Sequence, residues 1–484
     1  MNSFKYIFFI IIPFTVFGQK PAEKILAKQL DSMIILGKEY INSNDFKNAH
    51  GIFLNVDSLI IKNYGNTSQK YLEVYYYLAR SANKLQDSEE AIIQYKKTIE
   101  LSKFYNDTLS ENYEISLDEL SKLFANHGRF KEAELLMLDL FKLRNLKYGK
   151  LHPKSAMSIY SLSILNAKIE NYELATSYGI ECLNIREAVF GKNSMEYATT
   201  VYHLVKLYNV QNHFDSAIHY LYENLQILRA LKKTNTSIYA DCIAELAFLM
   251  KDRFADFEQA EALFQESYEV YQNEPKLKAR PSYALLLKGL GIHYKSIGNF
   301  NKALLYLYEA KSATKSSIGT KNWDYYSVLY NIGNVYLEQK NFSAAKEMYM
   351  FILNSDELTA EDKEINFPYV KGALISLGDM TGENVPESYA KDIMTKARSS
   401  ETTNYTLAMT LNQNSVWLYN HHRYAEALES DREALNIANG VYSPESDLLN
   451  GIYFNLCSDY LKINQPDSAR KYFFLSYNAT KRNS

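Results

Sequence analysis

Along most of this chain apolar residues recur every three or four positions, as in YSLSILNA (160–167) and YHLVKLY (202–208). That is the spacing of one buried face of an α-helix. The pattern predicts helices joined by short turns and essentially no strand. The turns often carry Gly, Asn or Asp, as in NDF, HGRF, ENY, GNF and KNF. These residue types tolerate the left-handed backbone that ends a helix.

The helices come in a repeated pair. NIGNVYLEQKNFSAA (Asn331–Ala345) overlays GLGIHYKSIGNFNKA (Gly289–Ala303) at a small residue, a tyrosine, a phenylalanine and a final alanine. That alanine recurs as Ala49, Ala91, Ala133, Ala175, Ala217, Ala260, Ala303, Ala345, Ala390, Ala427 and Ala469, mostly at steps of 42 or 43 residues. Ala390 breaks the rhythm, with steps of 45 before it and 37 after it. An aromatic stands three before the alanine in eight cases, and a small residue twelve before it in most. The small residue and the alanine let two helices of a hairpin approach closely, and the aromatic fills the elbow. One hairpin cannot bury its apolar face, so neighbouring hairpins must stack.

This skeleton resembles the tetratricopeptide repeat, over roughly residues 25–480. A 42-residue period adds about one turn to each helix of the usual repeat. The longer form is similar to the repeats of kinesin light chains and their bacterial relatives. The stretches Glu181–Tyr208 and Leu143–Ser163, the latter with its HP between helices, carry that likeness. The resemblance implies an all-α, right-handed superhelical solenoid of about 11 hairpins. Residues 19–380 are expected to hold repeats 1–8 and the start of repeat 9. Residues 381–484 are expected to hold the irregular remainder of repeat 9 and repeats 10–11. The long acidic stretch Asn354–Pro368 before it is read as a loop, and repeat 9 as a hinge or kink.

Composition narrows the class. Apolar residues make up 47% of 484, glycine and proline are scarce at 18 and 9, and tyrosine is common at 41. This favours long helices and a substantial core over disorder. A net charge of −3 gives no general reason to expect nucleic acid as a partner. Residues 1–18 read as a signal peptide: Lys5 precedes the short apolar run Tyr6–Phe17, and cleavage is expected near Gly18–Gln19. The mature chain is therefore expected to be exported, periplasmic or secreted, without stable membrane insertion. Cys182, Cys242 and Cys457 form no disulfide framework and no metal motif.

No catalytic or cofactor motif appears: the chain lacks HExxH, GxxxxGK[ST], a calcium loop and GxSxG. His421–His422 falls on an elbow, where an exposed turn competes with a metal site. The expectation is a non-enzyme with neither cofactor nor metal. In tetratricopeptide arrays the first helices line a concave peptide groove, so the resemblance maps one here. By register from each alanine it comprises Tyr76, Arg80, Lys84, Lys122, Tyr160, Lys168, Tyr202, His203 and Lys206. All but His203 stand fifteen, eleven or seven before an alanine and form one stripe of a helix; His203, fourteen before Ala217, takes the place where kinesin-light-chain-like repeats often carry an asparagine. A groove of lysine, arginine and tyrosine suits a protein or peptide partner, possibly acidic. The same stripe also suits an ordinary solvated face. The function expected is an exported interaction scaffold; the alternative is a sensor or regulatory arm of a larger signalling or CHAT-type peptidase system. The final helix, ARKYFFLSYNAT, is apolar around much of its surface, which suggests self-association through repeat 11.

Overall fold

In the computed structural model, residues 21–64, 69, 72–397, 404–439 and 446–482 are described. The expected signal peptide, 1–18, and its cleavage point lie outside the described residues. Twenty-two α-helices and one short 3-10 turn (Pro275–Ala279) make up the described elements, with no strand among them. The chain divides into two compact units, one up to Ala217 and one from Ile218, within helix α10 (Phe214–Ala230).

The N-terminal unit is built from hairpins. Helix α1 (Pro21–Asn42) pairs with α2 (Phe46–Tyr64), and α3 (Leu72–Lys84) with α4 (Ser88–Phe104). Next come α5 (Glu111–Asn126) with α6 (Phe130–Tyr148), α7 (Pro153–Lys168) with α8 (Tyr172–Phe190), and α9 (Met195–Val210). In the C-terminal unit α11 (Ser237–Phe254) pairs with α12 (Phe257–Asn273), α13 (Pro281–Ser296) with α14 (Phe300–Ser317), and α15 (Trp323–Glu338) with α16 (Phe342–Leu353). Then follow α17 (Ala360–Thr381) with α18 (Glu387–Ala397), α19 (Asn404–Asn420) with α20 (Tyr424–Ala438), and α21 (Asp447–Lys462) with α22 (Pro466–Arg482).

One elbow serves almost every hairpin. In ten of them the residue five before the repeat alanine has a positive φ, from Asn44 (60°) through Glu170 (62°) and Lys340 (59°) to Asn464 (63°). The next amide donates back to a carbonyl five residues earlier: Arg129 to Phe124 at 2.8 Å, Asn171 to Asn166 at 2.9 Å, Asn341 to Tyr336 at 2.9 Å. This is the Schellman closure of a helix C-terminus. The second helix then starts three residues before the repeat alanine, in eight repeats at the elbow aromatic, and Asp87, Asp256, Asn299 and Asn341 cap theirs by accepting from an amide three residues on. Of these ten, Gly128 and Gly298 are the glycines. Gln86, Glu170, Ala255, Lys340 and His422 hold the same conformation with a Cβ.

All eleven repeat alanines are buried. In several hairpins the small residue twelve before the alanine makes room for a specific side chain, the residue four after the alanine. A Cβ on Gly37 would sit 2.6 Å from the Phe53 ring, on Gly291 2.5 Å from Leu307, and on Gly333 2.6 Å from Tyr349. Where the first position is Ser163 rather than glycine, the second shrinks to Gly179, which lets Leu204 of α9 in. Repeat 10 has a polar version: Ser415 donates to buried Asp431 at 2.6 Å. Burial, and then the neighbouring buried Asp459, raise the Asp431 carboxyl well above the usual carboxylate range.

One expectation changes here. The acidic stretch 354–368 is a loop only as far as Thr359; from Ala360 it is the start of α17, with Pro368 inside the helix. Thr359 caps it, accepting from the Asp362 amide at 3.0 Å while donating to the Asp362 carboxylate at 2.8 Å. Glu361 and Asp362 then favour the positive end of the helix dipole, which an acidic composition alone does not announce as helix. The left-handed residue of this hairpin is Gly382, eight before Ala390 rather than five, which accounts for the long step to that alanine.

A left-handed L-residue costs roughly 1–2 kcal/mol, and glycine loses about 0.4–1 kcal/mol more chain entropy on folding. Lys340→Gly is therefore expected to raise stability by about 0.5–1 kcal/mol in urea unfolding. A loss of stability would contradict the account of the elbow.

Candidate functional site

In the N-terminal unit the first helices α1, α3, α5, α7 and α9 meet one another along one face. Lys38 of α1 pairs with Glu73 of α3. Asn83 of α3 donates to Glu119 of α5 at 3.1 Å. The imidazole of His203 on α9 lies 2.8 Å from the Ser163 hydroxyl of α7 and edge-on to Tyr160, ring centroids 5.3 Å apart. Of the residues read from register, Tyr160 and His203 lie side by side across α7 and α9.

Their roles differ. Tyr76 is only 4% exposed and belongs to the core shared with α4 and α5, so it forms floor rather than presented surface. Burial raises its phenol pKa, with Arg80 beside it opposing. Tyr160 and Tyr202 are half-buried. The Arg186 guanidinium lies 4.5 Å from the Tyr160 ring, and the Lys206 ammonium 4.8 Å from the Tyr202 ring. Lys84, Lys122, Lys168 and Lys206 are exposed. Lys122 is already paired with Glu119 at 2.8 Å and Asp118 at 3.3 Å, which reduces its pull on an anion. Lys84, Lys168 and Lys206 meet no carboxylate within ion-pair distance among the described residues; Lys168 lies 5.3 Å from the Phe130 ring.

His203 is held in one protonation state. Burial, then Lys206 and Arg186, lower its pKa to about 4. The single proton of the Ser163 hydroxyl goes to the Ala175 carbonyl at 2.6 Å. The neutral imidazole must therefore carry its proton on Nε2 and donate it to Ser163.

A buried charged layer beneath this face escaped the sequence reading. Arg144 is 4% exposed and its guanidinium reaches Glu114 (3.0 Å), Ser158 (3.0 Å) and Asp118 (3.4 Å). Glu114 also receives Lys147, Lys154 and the Tyr148 hydroxyl. Burial alone would raise Glu114, but Tyr148, Lys154, Arg144 and Lys147 together hold it down at about 2. One repeat later Arg186 donates to the Glu196 carbonyl at 2.7 Å and to Thr200 at 2.8 Å. Both arginines stand eleven after a repeat alanine, so the signal was present in the 42-residue register. His421 and His422 lie on the elbow, His421 with Nδ1 2.8 Å from the Trp417 carbonyl and His422 2.8 Å from the Tyr424 hydroxyl.

No protein-family model matches the chain, and no curated protein matches it. Among solved structures it is similar to a kinesin light chain with TPR-like repeats from Podosopora anserina, at 15% identity over 42% of this chain and 97% of that one, with a TM-score of 0.37. It is also similar to BtubC from P. vanneervenii, at 19% identity over 48% and 93%, TM-score 0.41. A third likeness is to an IFIT1 mutant with Gppp-AAAA, at 11% identity over 93% and 90%, TM-score 0.46. The class of this chain, an array of tetratricopeptide-like helical hairpins, rests on its own repeat.

The His203 arrangement has a pH signature. Its folded pKa is lowered below the ordinary value of 6.5, so its contribution is fully present above about 6.5 and is lost as pH falls towards about 4. Urea unfolding of His203→Gln is expected to show a smaller loss of stability across that window than the parent chain. Parallel pH profiles would contradict the burial of a neutral imidazole here.

Proposed function

We propose that the chain is an exported, non-catalytic scaffold that holds a polypeptide segment along the first-helix face of its N-terminal unit. The observation that supports this most is the exposed series Lys84, Lys168 and Lys206, without carboxylate partners among the described residues, beside half-buried Tyr160 and Tyr202. Cations with no local counter-charge favour an acidic segment, and half-buried rings offer apolar contact at little entropic cost. Glu73, Asp118 and Glu119 neutralise the α1–α5 end of the face, so the α7–α9 end carries most of the attraction. The N-terminal run Tyr6–Phe17 supports export, with mature protein starting near Gln19. No described helix is long and apolar enough to cross a membrane.

A second contact is favoured at the C-terminal end. On α22, Phe473 and Tyr477 are each 54% exposed and stack at 6.3 Å, with Phe474 beside them at 49%. Phe53, Tyr95, Phe264, Leu307 and Tyr349 occupy the position of Phe473 in other hairpins and are buried. An exposed aromatic cluster of this kind marks a contact surface, and self-association of repeat 11 would cover it.

Reversing Lys84, Lys168 and Lys206 to Glu is expected to weaken binding of a fluorescent glutamate-rich peptide at least about tenfold. Unfolding free energy should move by no more than about 0.5 kcal/mol, because the three side chains are exposed. Unchanged affinity in the folded variant would count against the groove. Sedimentation of the native protein, with its N-terminus sequenced, is expected to show a species above monomer mass that Phe474→Ser/Tyr477→Ser returns to monomer. A strict monomer at high concentration would remove the self-association reading, and a retained Met1 would remove the export reading.

A further inference from the structure

Two acids meet in the core of the C-terminal unit. Asp431 of α20 is 0% exposed and Asp459 of α21 is 1% exposed. Their places in the repeat are apolar in other hairpins. Asp431 stands four after its repeat alanine, where Tyr95 and Met137 stand in the N-terminal unit. Asp459 stands ten before the next repeat alanine, where Leu123 and Leu165 stand. Those four apolar residues share one core cluster, which seats one hairpin on the next. Between α20 and α21 a pair of carboxyls takes their place.

The surroundings supply few donors. The Ser415 hydroxyl of α19 donates to Asp431 Oδ1 at 2.6 Å. The Asn455 amide of α21 also faces Asp431, but it donates to Asn412 Oδ1 of α19 at 2.8 Å and lies 3.4 Å from the Ser415 hydroxyl oxygen. Asp431 Oδ2 and Asp459 Oδ2 are both buried without a hydrogen-bond donor among the described residues. Neither carboxyl meets a lysine or arginine within ion-pair distance among the described residues. Arg432, next in the chain to Asp431, turns instead to the Tyr460 hydroxyl at 2.7 Å. From α22, Tyr472 stacks on the Tyr460 ring at 5.6 Å, while Arg470 and Lys471 are exposed.

Two carboxylates offer each other no hydrogen. The side chains of Asp431 and Asp459 are in hydrogen-bonding contact, and that contact is attractive only when one of them carries a proton. With both ionised, two like charges would stand together out of bulk solvent, which raises the titration of such a pair. Burial raises both carboxyls above their ordinary range, and the two titrate as one unit.

We propose that Asp431 and Asp459 share one proton that latches the α21–α22 hairpin onto α20, and that losing this proton as pH rises loosens the hairpin. The unfolded chain releases the proton near the ordinary carboxyl value of 3.8, whereas the folded pair keeps it to higher pH. The latch is therefore fully engaged below that ordinary value and is lost as pH climbs through the raised titration of the pair. It involves no ligand and stands or falls independently of the lysine-bearing face of the N-terminal unit.

The test uses the full-length chain and two readouts. Difference infrared spectra of the native protein are expected to keep a protonated-carboxyl carbonyl band at neutral pH that Asp431→Asn/Asp459→Asn lacks. Amide hydrogen exchange across α21 and α22, corrected for the intrinsic effect of pH, should rise at least about tenfold from about pH 5 to about pH 9 in the native chain and stay level in the double variant. If the double variant misfolds, Asp459→Asn alone should flatten part of that rise, because its amide donates to Asp431. An equal rise in the folded variants would overturn the proposal. So would a level native profile or a missing band at neutral pH. Protection restored at high pH by millimolar calcium would assign the pair to a cation and overturn it as well.

Discussion

Three hairpins depend on one close contact: a first helix and a second helix that meet where a side chain must be almost absent. The contact is a matched pair. Gly37 faces Phe53, Gly291 faces Leu307 and Gly333 faces Tyr349, with Cβ clearances of only 2.5–2.6 Å. Adding a methyl group to a core this tight forces rotamer or backbone shifts, typically at about 1–3 kcal/mol. The pairing varies in chemistry: at Ser163 with Gly179 the space left at the second position is filled by Leu204 of α9. Once that crossing is set, the elbow closes by the Schellman bond and the next hairpin finds an apolar face to cover.

Charge enters the stack in the layer between hairpins. Arg144 on α6 ties α5 to α7 through Glu114 and Ser158, and Arg186 on α8 ties itself to α9 through Thr200. A guanidinium at such depth needs all its partners, because an uncompensated buried charge destabilises by about 3–5 kcal/mol. Arg186 also lies beside the Tyr160 ring, so the buried layer positions a residue of the exposed face. The groove chemistry of the N-terminal unit is thereby coupled to the packing beneath it.

Much of this was legible in the sequence, for a physical reason. A repeat alanine, an elbow aromatic and a small residue are contacts internal to one hairpin, so their spacing survives in the chain order. What was not legible depends on neighbours from other hairpins. Register placed Tyr76 on the groove stripe, yet α4 and α5 bury it. Lys122 counted as a free cation until Asp118 and Glu119 of its own helix were seen to turn towards it. The non-glycine left-handed residues, such as Gln86 and Glu170, carry no compositional mark at all.

The central functional claim is that the first-helix face of the N-terminal unit is a polypeptide groove. Hydrogen–deuterium exchange of the full chain, with and without a saturating glutamate-rich peptide, tests this most directly. The account predicts added protection concentrated in α7 and α9, weaker protection in α3 and α5, and none in the second helices α4, α6 and α8. Protection of the second helices, or no change anywhere in the N-terminal unit, would contradict it.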